Sequence, residues 1–151
     1  MLPVHLQFPI RGGDFHSAGE ASSGMKKALS KLGVDPSAVK RASVAMYEAE
    51  INAVIHAGGG EADVEIFADR VSIVIRDHGP GIPDVGLAMQ EGWSTAPDAA
   101  REMGFGAGMG LPNIQRNADD LTIDTRVGEG TALTILVRFH RPAPTAPGPE
   151  A

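Results

Sequence analysis

Two runs of period-two hydrophobicity, each doubled back on itself, limit what this chain can fold into. "ADVEIFAD" and "RVSIVIRD" set Val64 and Ile66, then Val71, Ile73 and Ile75, on one face, with Asp69 and Arg70 at the expected turn. "LTIDTRV" and "TALTILVRF" repeat the pattern across "GEG". Strands that alternate in this way bury one face and wet the other, so the expected product is a pair of antiparallel hairpins that need a cover.

The cover lies upstream. "VHLQFPI" (4–10) reads as a first strand. From Asp14, apolar residues recur at Phe15, Ala18, Ala21, Met25, Ala28, Leu29 and Leu32, the spacing of an amphipathic helix stopped by Gly33. Asp35 before Pro36 supplies an N-cap acceptor and a first-turn proline, so a second helix is predicted over 36–57, ending at "GGG" (58–60). Residues 78–109 have no clear period, the mark of a functional loop in a compact domain. A further helix is expected from near Gly110 to about Asn117. The predicted fold class is α+β: a two-layer α/β sandwich whose mixed, mostly antiparallel sheet carries helices on one face.

The chain's 151 residues suit one domain, expected over 1–140. The tail "RPAPTAPGPEA" (141–151) holds four prolines and is expected to be disordered. No apolar run reaches the roughly 20 residues that span a bilayer, and the N-terminus lacks a signal-peptide pattern. Without cysteine, disulfides and thiolate metal sites are excluded; a cytoplasmic protein is expected. A formal charge of −6, with the 13 Lys and Arg unclustered, argues against nucleic-acid binding. A phosphate ligand stays compatible with that charge, because backbone N–H groups and a divalent cation can hold it.

Three stretches could carry chemistry. In "SVAMYEAEINAVIHA", Glu48, Asn52 and His56 fall at i, i+4 and i+8 on one helix face, whereas Glu50 points elsewhere. A carboxamide oxygen is a hard ligand for Mg²⁺, and a carboxylate can accept a proton from a hydroxyl. A solvated polar stripe explains the same spacing. In "DHGPGIP", Asp77 ends a strand, and Gly79 and Gly81 leave room for a flat group; alone, it could be an ordinary turn. In "GFGAGMGL", Gly104, Gly106, Gly108 and Gly110 alternate just before a helix, as a hinge or as a row of N–H donors for an anion.

In this order, the three elements resemble the N, G1 and G2 boxes of the GHKL ATP-binding superfamily, and "GEGTAL" adds a match at Thr131. The resemblance spans roughly residues 4–139. With "YEAEINAVIHA", "DHGPGIPD", "EGWST" and "GFGAGMGLPNI", the chain looks like the anti-sigma factor and switch-protein serine kinases of that superfamily. The resemblance implies ATP and Mg²⁺ as cofactors, with Glu48 as general base and Asn52 as magnesium ligand. It makes Asp77 the adenine anchor and Thr131 a second adenine contact. Gly79 and Gly81 would shape the pocket; Gly104, Gly106, Gly108 and Gly110 would form the phosphate loop. His56 is expected to pack or cap. Trp93 would plug a long ATP lid onto the domain or else contact a partner, and Met103, Phe105 and Met109 would pack in that lid. The implied partner is a STAS-domain antagonist protein, with a sigma factor or another regulator beside it and a homodimer among the assemblies. Two departures are "HAGGG" after the helix and a G2 box longer than that of the switch kinases. Besides a kinase, a nucleotide-dependent binding module and a water-activating ATPase fit these motifs.

Overall fold

The computed structural model describes residues 3–90 and 110–139. In them, β1 (Val4–Arg11), β2 (Gly59–Ile66), β3 (Arg70–Asp77), β4 (Asp120–Arg126) and β5 (Gly130–Arg138) form one sheet in the order β1-β2-β3-β5-β4. Every pairing is antiparallel. The helices are α1 (Glu20–Lys31), α2 (Pro36–His56), the single turn α3 (Val85–Ala88) and α4 (Gly110–Asn117). Helices α1 and α2 pack on one face of the sheet, and α4 packs along α2. The expected sandwich is the observed one.

Its core follows from the alternation. Val64, Val71, Ile73, Ile75, Ile135 and Val137 are fully buried against Met25 and Leu29 of α1, Met46 of α2 and Ile114 of α4. Helix α2 reaches the sheet on an alanine stripe (Ala38, Ala42, Ala45, Ala49 and Ala53, all buried), so its backbone comes close without gaps. The N-cap works as the sequence implies: the Asp35 carboxylate accepts from the Ala38 N–H at 3.0 Å. At the other end, Gly58 takes the left-handed conformation (φ 69°) just past the cap.

Two boundaries differ from the sequence reading. Helix α1 starts at Glu20, not near Asp14. The Asp14 side chain captures the Ser17 N–H at 3.2 Å, making a turn, and Gly19 at φ 101° cannot continue a right-handed helix backwards. Strand β2 starts at Gly59, so two of the three glycines after α2 belong to the sheet. There a Cβ on Gly60 would lie 2.0 Å from the Arg76 carbonyl oxygen. The long aperiodic stretch contains α3, capped by the Asp84 carboxylate on the Leu87 N–H at 3.0 Å.

Candidate nucleotide site

Helix α2 carries the first cluster. Glu48 and Asn52 are half-buried and face α4. Gly110, the first residue of α4, sits so close to Asn52 that a Cβ there would lie 3.0 Å from the Asn52 Oδ1. One turn on, Asn113 Nδ2 donates to Glu48 Oε2 at 3.2 Å, while its Oδ1 accepts from Arg116 at 3.1 Å. The Arg116 contact fixes which way the Asn113 amide points. Burial pushes the Glu48 carboxyl above the ordinary glutamate range, and the Asn113 bond draws it part of the way back. His56, at the end of α2, is half-buried, and that burial pushes its pKa down, favouring the neutral ring.

The second cluster stands on the sheet. Register places Asp77, Thr131 and Thr125 in one row across β3, β5 and β4, at the end of an apolar row of Ile75, Leu133 and Ile123. Asp77 Oδ1 accepts from the Gly79 N–H at 2.9 Å and the Thr131 N–H at 3.2 Å. Among the described residues both bonds fall on that one oxygen. The Thr131 and Thr125 hydroxyls lie 2.9 Å apart, and Thr125 Oγ1 accepts from the Ile82 N–H at 2.8 Å. The loop after β3 is also tied down by the Gly128 N–H donating to the Pro80 carbonyl at 2.8 Å.

The two glycines of "DHGPGIP" have an intramolecular reason. A Cβ on Gly79 would lie 2.6 Å from Ala57 Cα, and one on Gly81 (φ 80°) 2.5 Å from the Arg126 carbonyl oxygen. On the side where a Cβ would point, the clearance they give is taken by the protein's own atoms. The Gly79 contact also docks the loop onto the C-terminal end of α2. Glu48 lies nine residues before Ala57, about 14 Å along the helix axis at 1.5 Å per residue. The two clusters thus sit at opposite ends of one short ruler.

Gly104, Gly106, Gly108, Trp93, Met103, Phe105, Met109 and the 141–151 tail lie outside the described residues. Among the described residues, no cluster of three or more His, Asp or Glu side chains could cage a metal, and no helix is long and apolar enough to cross a membrane. Three contributors were not singled out from sequence. Asn113 and Thr125 bond to site residues across elements, and Glu50, 2% exposed, accepts from the Gly19, Ala21 and Ser22 N–H groups at 2.9, 3.1 and 3.0 Å. Only the polarity of Thr125 on an otherwise core-facing position could have flagged it.

Comparison with known proteins agrees with this architecture. A family model described as a histidine kinase-like ATPase domain matches residues 14–137. The serine/threonine-protein kinase RsbT of Bacillus subtilis is 34% identical over 100 residues, covering 64% of this chain and 69% of the relative. An anti-sigma F factor of Clostridium beijerinckii is 30% identical over 132 residues, covering 82% of this chain and 89% of that protein. The fold is shared with the RsbU and RsbW domain structure of a Mycobacterium tuberculosis protein (TM-score 0.57, 19% identity, covering 95% of this chain and 34% of that one). It is shared too with a mycobacterial sensor histidine kinase, MprB (TM-score 0.51, 20% identity, covering 92% of this chain and 99% of that one). The chain belongs to the histidine kinase-like ATPase domain family.

Proposed function

We propose that this chain is an ATP-dependent serine/threonine protein kinase of the anti-sigma and switch-kinase type, acting on a STAS-domain antagonist protein. One observation carries the reading. A half-buried carboxylate and a carboxamide sit one turn apart on α2, and the loop that follows the acceptor carboxylate Asp77 docks on Ala57, about 14 Å along the helix axis from Glu48. An extended nucleoside triphosphate spans such a distance, with its base at Asp77 and its terminal phosphate beside Glu48. The identity to a serine/threonine-protein kinase, RsbT, supports the choice of acceptor.

At the base end, Asp77 Oδ2 receives an exocyclic amine, since Oδ1 is taken up by the Gly79 and Thr131 N–H groups. A carbonyl at that position would face a carboxylate and be rejected. At the phosphate end, the sequence run of Gly104, Gly106, Gly108 and Gly110 before α4 is the candidate source of N–H donors to the phosphates. Asn52 Oδ1 would hold a Mg²⁺ ion, which would supply charge neutralisation at the phosphates. Asn52 fits that duty as a hard oxygen donor facing the start of α4. Glu48 Oε1 accepts the proton of the partner's serine or threonine hydroxyl as its oxygen bonds to the γ-phosphorus. The bond from that phosphorus to the β–γ bridging oxygen breaks, and ADP leaves with the electron pair. Burial raises the proton affinity of Glu48, and the Asn113 bond keeps its second oxygen oriented.

The test is transfer of label from γ-labelled ATP to STAS-domain proteins of the same genome, tried in turn. Label on one of them, lost in Glu48→Ala, is expected. No transfer to any, or undiminished transfer by Glu48→Ala, would sink the reading. The similarity to anti-sigma F factors supports a second activity of the same chain, nucleotide-dependent capture of a sigma factor. Capture that requires ATP but survives Glu48→Ala would identify it.

A further inference from the structure

We infer that Thr125, a residue without direct contact to the nucleotide, enforces selection of 6-aminopurines by fixing the Thr131 hydroxyl as a hydrogen-bond donor. This rests on the nucleotide reading of the site. A threonine hydroxyl has one proton and two lone pairs. Thr125 Oγ1 accepts from the Ile82 N–H at 2.8 Å, which occupies one lone pair. Its own proton has two candidate acceptors, Thr131 Oγ1 at 2.9 Å and the Gly130 carbonyl oxygen at 3.4 Å. The 2.9 Å contact lies inside the usual O–H···O range of about 2.5–3.0 Å and the 3.4 Å contact outside it, which favours Thr131 as the acceptor, although either hydroxyl of the pair has a lone pair free to accept. The Thr131 oxygen then accepts from Thr125, and its own proton is left to donate elsewhere.

The cross-strand row therefore presents an ordered pair to a ligand: acceptor at Asp77, donor at Thr131. That pair complements the edge of adenine, where an amine donor adjoins a ring-nitrogen acceptor. Hypoxanthine and guanine reverse both positions, carrying a carbonyl next to a ring N–H. They would oppose acceptor to acceptor and donor to donor. Sites built on such pairs reject the mismatched analogue because polar groups are left unpaired. Asp77 alone enforces one of these two mismatches; the second depends on the direction of the proton that Thr125 supplies. Without Thr125, the Thr131 hydroxyl can turn and accept, which a ring N–H tolerates.

Calorimetric titration of the full chain with ATP and with ITP tests this, since ITP differs at the C6 and N1 edge alone. The wild type is expected to prefer ATP. Thr125→Val, equal in shape but without a hydroxyl, is expected to narrow the ATP-to-ITP preference about tenfold, mostly through tighter ITP binding as the freed Thr131 hydroxyl turns to accept. Thr125→Ser, which restores the hydroxyl, is expected to keep the wild-type ratio. Equal weakening of both nucleotides in Thr125→Val would reduce Thr125 to a support for the Ile82 loop and overturn the inference. So would an unchanged ratio, even where Asp77→Asn abolishes discrimination, in which case the nucleotide reading itself survives. No binding of ATP by the wild type would overturn both.

Discussion

Glu50 gives the sharpest test of how the helical layer is held. Helix α1 opens at Gly19 in the left-handed conformation, with no side-chain cap of its own. The three N–H groups that open it go to one carboxylate, 28 to 31 residues away on α2. A negative charge there also complements the helix dipole. In Glu50→Ala, the Ala21 and Ser22 N–H groups are stranded in buried positions, at about 1–3 kcal/mol each. The adjoining cavity of about 270 Å³, walled by Phe8, Ile10, Ser17 and Val54, would admit water and recover part of that loss. The net cost is therefore about 2–4 kcal/mol, or about 5–15 °C in Tm for a chain of this size. Glu50→Gln keeps one acceptor but turns an amide N–H₂ toward donors, and should cost about 1–2 kcal/mol. Urea unfolding followed by circular dichroism measures both. A Glu50→Ala change within about 0.5 kcal/mol of wild type would refute the cap, because surface carboxylates behave that way.

Further outcomes follow from the site. Burial raises the Glu48 pKa, so a base that must be ionised loses activity, as pH falls, at a higher pH than an ordinary glutamate would. Asn113→Ala removes the opposing bond and should move that acid limb further up, read from a pH–kcat profile. Glu48→Gln, which discards a charge that burial disfavours, should leave Tm at pH 7 unchanged or raised while abolishing transfer. Gly130→Ala should destabilise by at least about 2 kcal/mol and weaken ATP binding, because its φ of 129° strains any side chain and its Cβ would lie 2.2 Å from the Asp77 carbonyl oxygen. Arg41→Ala should cost about 1–2 kcal/mol by unfolding assay, since its guanidinium donates to the Arg138 carbonyl at 2.8 Å and to Asp119 at 3.3 Å.

How much of this was legible in the sequence divides along one physical line. Local rules marked both hairpins, the Asp35–Pro36 helix start and the last helix, since period and capping act over a few residues. The start of α1 escaped them. Phe15 and Ala18 keep the helical spacing, but Gly19 turns left-handed and the cap that would reveal the start is Glu50, on another helix. The one-turn spacing of Glu48 and Asn52 was readable, and so was their separation from Glu50. What they face was not, because Asn113 reaches Glu48 only once α4 packs on α2. Thr125 shows the same limit. Alternation gives its face, but the bond to Ile82 and the pairing with Thr131 depend on strand register. The packing reason for glycine at 79 and 81 also lay beyond local rules, because a Cβ there would meet Ala57 or Arg126, from other elements.

The central claim is the chemistry of the acceptor, in a chain whose fold is shared with a sensor histidine kinase and whose sequence is similar to a serine/threonine-protein kinase. It is tested most directly by the stability of the linkage formed when labelled ATP, the full chain and the proposed STAS-domain substrate are incubated together. A phosphoserine or phosphothreonine ester survives acid and is lost in alkali, whereas a phosphohistidine is lost in acid. The account predicts acid-stable label on the partner, absent with Glu48→Gln. Acid-labile label, or free phosphate released without any labelled protein, would contradict it.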